Sequence, residues 1–210
     1  CCGAMFLINP PATVAAIVTS FGIFALLQRR VLTRTWGDVR NGIWFTVARW
    51  SLLNLEGMTY HARNWRPNIL VFTGQPHNRE ELVKVAEWLS MGRGIVSFVQ
   101  LLPGPIGKMA GRGLQDTARR QIRSYIQDHE MAAFASAEIV PDFYTGAAIV
   151  AQAHGVGSLE PNTVLLGWSR SPEGRTSQLQ LMDVLVRMRK SVLFLHLDEA
   201  AGFGKKKTID

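Results

Sequence analysis

Hydropathy divides the chain into an uncharged front and a rear in which short apolar runs alternate with amphipathic stretches. No residue from Cys1 to Gln28 carries a charge, and Asn9-Pro10-Pro11 interrupts the run. Proline fixes φ, lacks an N–H and drives the preceding residue out of the helical region, so two helical segments are expected. The second is about 27 Å long against about 30 Å of bilayer hydrocarbon, and Val31 and Leu32 complete it if Arg29 and Arg30 snorkel. The pattern predicts that residues 12–32 insert in a lipid bilayer, with Cys1–Ile8 the end of an earlier span. A signal peptide would carry its positive charge before the apolar run, whereas Arg29, Arg30, Arg34 and Arg40 follow it. The positive-inside rule then makes the chain an integral, multi-pass protein with residues after about 34 cytoplasmic. A buried core helix of the same length would leave Arg29-Arg30 unexplained.

Thr35–Glu56 reads as an amphipathic helix, because Ile43, Trp44, Val47, Ala48, Trp50, Leu52 and Leu55 recur at helical spacing. Thr35 and Asp38 stand three apart as in a capping box, and Gly57 ends the run. An apolar face this wide needs a cover. Trp36, Asp38, Ile43, Trp44, Val47 and Trp50 are the candidates for a linker or homodimer contact, with anchoring of the tryptophans at a lipid interface as the other reading.

Beyond Asn64-Trp65-Arg66-Pro67 the period changes. Asn68–Thr73, Gly94–Leu102, Ala133–Val140, Asn162–Trp168 and Ser191–Leu197 read as strands. Asn78–Met91, Leu114–Met131, Asp142–His154 and Ser177–Arg189 read as the helices between them. This alternation predicts an α/β domain with a doubly wound, mainly parallel five-stranded sheet. The expected organisation is 1–34 for the end of one span and a last transmembrane helix, 35–63 for the linker helix, and 64–210 for a truncated α/β regulatory domain.

Charge adds little to this picture. The net charge is +7, but the basic clusters Arg29–Arg40, Arg119/Arg120/Arg123, Arg187/Arg189/Lys190 and Lys205–Lys207 form no single stripe with aromatic platforms. No nucleic-acid partner is therefore expected. Cys1 and Cys2 are the only cysteines, which excludes a disulfide framework and a catalytic cysteine in the α/β part. The five histidines show no H-x-x-x-H or H-x-H spacing, so no metal site is predicted. No G-x-G-x-x-G, phosphate-loop or G-x-S-x-G pattern is present, and the expectation is a protein that is not an enzyme. The topology itself offers one candidate site. If the first and fourth strands are neighbours, Thr73, Gly74 and Gln75 face Gly167, Trp168 and Ser169 across a crevice at the carboxyl ends of the strands, unless these are only connecting loops.

Several segments resemble the cation-chloride cotransporters of the amino acid-polyamine-organocation superfamily. CCGAMFLIN resembles the penultimate span of that family, and Trp36-Gly37-Asp38 the start of its post-membrane helix. N-W-R-P followed by LVFTGQP resembles the approach to its C-terminal domain, with Asn68 where glutamine is usual, and GVGSLEPNTVLLGW resembles a later stretch. The resemblance implies symport of potassium and/or sodium with chloride by a secondary transporter. This segment would then serve regulation and homodimerisation beside its own transport core, with a universal-stress-protein-like fold and no ion-binding residue. An amino acid permease-like transporter and a membrane-tethered nucleotide-sensing module are the alternatives. The family also implies ATP or ADP binding. Against it, Gly104 and Gly107 fit the stress-protein phosphate motif, whereas Thr117 stands at its third glycine.

Overall fold

The computed structural model describes residues 10–31, 36–57 and 65–196. The chain forms two compact units, Cys1–Gly57 and Met58–Asp210. Expectations placed on residues 1–9, 32–35, 58–64 and 197–210 lie outside the described residues.

The first unit holds two helices, α1 (Pro10–Val31) and α2 (Trp36–Glu56). The expectation of a transmembrane span is corrected here: no helix among the described residues is long and apolar enough to cross a membrane. Freedom from charge is not sufficient for a span, because crossing hydrocarbon requires sustained apolarity. In α1 the apolar Val14, Ile17, Val18, Phe21 and Ile23 are diluted by Pro11, Thr13, Thr19, Ser20 and Gly22. With the span go the integral, multi-pass placement and the cytoplasmic assignment of residues after about 34. Helix α2 begins close to the expected position, and Ile43, Trp44, Val47 and Trp50 are all exposed on it. Trp36 and Asp38 lie in its first turn, with side chains outside the described residues.

The second unit is built on five strands: β1 (Asn68–Phe72), β2 (Ile95–Pro103), β3 (Phe134–Val140), β4 (Thr163–Gly167) and β5 (Ser191–Leu195). Their order is β3-β2-β1-β4-β5, and all four pairings are parallel, as the alternation predicts. The connecting helices are α3 (Glu80–Ser90), α4 (Ile106–Met109), α5 (Leu114–Asp128), α6 (Phe143–Ala153) and α7 (Pro172–Arg187).

Strand β1 is central and apolar at successive positions because both its faces are covered. Ile69 and Val71 pack with Leu82, Val83 and Ala86 of α3 and with Ile122, Tyr125 and Ile126 of α5. Leu70 and Phe72 pack on the other face with Ala147 and Ala151 of α6 and with Leu181 and Leu185 of α7. Each of the valine, leucine, isoleucine and phenylalanine side chains among these contributes about 1.5–3 kcal/mol when fully buried. The winding therefore reverses between β1 and β4, and the loops leaving these two strands diverge to opposite faces.

Candidate functional site

Chain direction changes sharply at the carboxyl end of β1. Gly74 has φ 67°, a left-handed value that glycine adopts without a Cβ penalty, and a 3-10 turn, Pro76–Asn78, follows before α3. Asn78 Nδ2 donates to Gln75 Oε1 at 3.2 Å, which fixes the turn. From β4 the chain leaves through Gly167-Trp168-Ser169 into α7. Ser171 caps that helix, its Oγ accepting from Gly174 N–H at 3.1 Å, and Pro172 occupies the first turn.

Between these two connections lies a cleft of about 840 Å³. All six residues predicted for the crevice line it: Thr73, Gly74 and Gln75 on one side, Gly167, Trp168 and Ser169 on the other. The strand neighbourhood on which that expectation depended is present, with Phe72 opposite Leu166 in register. Sequence reasoning missed further lining residues, among them Arg79, Phe143, Tyr144, Ser171, Gln178 and His196. The Ser-Pro-Glu cap at 171–173 signals an earlier start of α7, and with it a place for Ser171 beside the crevice. No local pattern marked Arg79.

The cleft has an aromatic side and a polar side. Phe72 and Phe143 meet edge to face at 6.3 Å, as do Phe143 and Tyr144 at 5.3 Å, and Trp168 is held edge-on to Phe194 at 5.4 Å. Tyr144 Oη donates to the Gly174 carbonyl at 3.0 Å, tying the start of α6 to the first turn of α7. The Arg79 guanidinium lies on Gly167, where a Cβ would collide with Nη1 and sit 3.4 Å from Cζ. Thr73 is buried, and its Oγ1 donates to the Gly74 carbonyl at 3.3 Å. Beside the cleft, the Thr145 backbone N–H, followed by the Thr145 side chain, holds the Asp142 carboxyl below its ordinary range at the start of α6. In the core between α3 and α5, burial raises the pKa of the Tyr125 hydroxyl, with Glu80 and then Glu87 adding to the shift.

The family model of solute carrier family 12 matches residues 79–186, from the start of α3 almost to the end of α7. The chain belongs to solute carrier family 12. This bears out the resemblance to the cation-chloride cotransporters. Solute carrier family 12 member 2 of Mus musculus is 28% identical over 170 residues, covering 81% of this chain and 14% of that protein. Member 1 of Homo sapiens is 25% identical over 171 residues, covering 81% of this chain and 15% of that protein. The chain thus spans about one-seventh of the length of these solute carriers. Among solved structures, a universal stress protein from Archaeoglobus fulgidus aligns with TM-score 0.39 at 17% identity, over 63% of this chain and 99% of that one.

In this solute carrier family 12 chain, the residues compared with a stress-protein phosphate motif do not meet at the cleft. Gly104 follows β2 and packs on Met109, Gly107 lies in α4, and Thr117 lies inside α5. None of the three lines the space between β1 and β4.

Proposed function

We propose that this chain is part of a secondary active ion symporter moving potassium and/or sodium with chloride, and that its α/β unit is a regulatory and dimerising module without catalytic chemistry. The observation that carries the reading is the family match over residues 79–186, which takes in most of the doubly wound unit and not a short motif. The geometry supports a module of this kind. The site is an open cleft between two loops, which suits a reversible regulatory contact.

The test is chloride-dependent uptake of radioactive rubidium, a potassium surrogate, by cells expressing the parent protein. Replacement of chloride by gluconate is expected to abolish the protein-dependent flux, and deletion of residues 65–196 to change its rate and the oligomer size together. Flux indifferent to chloride would overturn the symport assignment. Amino acid uptake in its place would favour a permease-like substrate.

A further inference from the structure

A doubly wound sheet presents phosphate groups to backbone N–H donors where a strand turns into a helix at the switch point. The β4–α7 turn stands at that place, yet its Trp168, Ser169 and Gly174 N–H donors are already engaged within the chain. Ser169 N–H donates to Gln178 Oε1 at 2.8 Å, and Gln178 Nε2 donates to the Gly167 carbonyl at 2.7 Å. One carboxamide thus bridges the segment from both ends, and Gln178 is only 3% exposed. Trp168 N–H goes to the Leu195 carbonyl at 2.7 Å, and Gly174 N–H to Ser171 Oγ at 3.1 Å.

The space beside these donors is filled as well. A Cβ at Gly174 would run into Ser169 Oγ, so that hydroxyl covers the glycine where an anion would approach the first turn of α7. Ser169 Oγ and Ser171 Oγ lie 3.3 Å apart and can bond to each other. Glu173, in the first turn of α7, already places a negative charge against the positive end of the helix dipole.

From these contacts we infer that Gln178 is a built-in occupant of the cleft's phosphate position, so the folded chain excludes phosphoryl groups, free or carried by a nucleotide, from the β4–α7 turn. A tethered carboxamide competes at an effective concentration in the millimolar range or above. An incoming phosphate must also leave the displaced, buried amide of Gln178 without its two partners, a cost that free phosphate in a water-filled cradle does not meet. The fold supplies a phosphate-binding position, and one side chain of α7 withdraws it. This conclusion stands apart from the symport reading, because its test measures no flux.

The experiment titrates the full chain by calorimetry with inorganic phosphate and, separately, with ATP, while amide hydrogen exchange is followed at Ser169. For the wild-type chain the expected result is no saturable heat from either ligand and an unchanged, protected Ser169 amide. Gln178→Ala is expected to gain at least about tenfold in phosphate affinity and to lose at least about tenfold in Ser169 protection. Saturable binding of either ligand to the wild-type chain with a change in Ser169 exchange would overturn the inference, and this arm stands even if the variant fails to fold. A folded Gln178→Ala chain with no gain for phosphate would overturn it too.

Discussion

Asn162 and Asn68 hold the amino ends of β4 and β1 together by a reciprocal pair of contacts. Asn68 N–H donates to Asn162 Oδ1 at 3.0 Å, and Asn162 N–H donates to the Asn68 carbonyl at 3.0 Å. Asn162 Nδ2 reaches on to the Arg66 carbonyl at 2.7 Å, and Thr163 Oγ1 donates to Asn162 Oδ1 at 2.9 Å. Asn68 in turn sends Nδ2 to the Leu159 carbonyl at 2.8 Å. Two of the stretches that resemble cation-chloride cotransporters in sequence therefore meet here, bound side chain to backbone.

Asn162→Ala removes three side-chain hydrogen bonds at once and leaves the Asn68 N–H without its acceptor. At roughly 1 kcal/mol per bond, with a further penalty for the stranded donor, about 3 kcal/mol of stability should be lost. Urea unfolding followed by circular dichroism checks this. A loss below about 1 kcal/mol would mean that water replaces the bridge.

Gly146 sits where α6 crosses the carboxyl end of β3. A Cβ there would collide with Val140, 2.6 Å from Cγ1 and 2.7 Å from Cγ2. Gly146→Ala gains up to about 1 kcal/mol in helix propensity, but overpacking against a β-branched neighbour typically costs about 1–3 kcal/mol. The net change should be destabilising. Adding Val140→Ala should recover part of the loss, so that the double variant is more stable than the sum of the single changes. Simple additivity in a double-mutant cycle would mean that the Val140 methyl groups are not what the added Cβ meets.

His154 ends α6, and burial lowers its pKa, an effect partly opposed by the Glu138 carboxylate on β3. The folded chain therefore favours the neutral imidazole, and the unfolded chain binds the proton more readily. This contribution to stability is complete above the ordinary pKa of 6.5 and is lost as pH falls through the lower folded value. His154→Gln should remove that component of the acid slope. Unfolding free energies of both chains between neutral pH and about pH 5 provide the comparison, and parallel curves would exclude His154 as the source.

The strands were legible because a parallel sheet covered on both faces leaves continuous apolar runs such as Ile69 to Phe72, and their spacing leaves room only for crossover helices. The crevice followed from topology alone, since pairing β1 with β4 brings Thr73 and Gly167 to one end whatever their side chains do. Gln178 was not legible. In sequence it is one polar residue in a helix, and its place under Ser169 exists only once α7 folds back against β4. Helix α7 starts at Pro172, before the expected Ser177, because its apolar period begins only after the cap and Gly174 in the first turn weakens the Ser171-Pro172 signal. The span differs for another reason: freedom from charge is not hydrophobicity, since threonine, serine, glycine and proline also carry no charge.

Helix α2 sets the last prediction, which belongs to the proposed dimer. Trp44 is 68% exposed, Trp50 67% and Phe45 71%, with Ile43, Val47 and Leu53 also exposed beside them. Single exposed apolar residues are ordinary on a protein surface, but this many on one helix of 21 residues exceed what a solvated helix carries without aggregating. Trp50 is the residue to change: a large aromatic side chain at the centre of an interface commonly accounts for 2 kcal/mol or more of association when truncated. Trp50→Ala in the parent protein should therefore weaken self-association by at least about thirtyfold, while the same change in a non-interfacial residue would leave it intact. Sedimentation velocity across a concentration series reads the shift directly. Arg49→Ala, a charge change one residue away, serves as the control for general disturbance of α2. If Trp50→Ala leaves the oligomer distribution where Arg49→Ala leaves it, α2 is not the dimer contact, and its apolar face is covered by something other than a second copy of the chain.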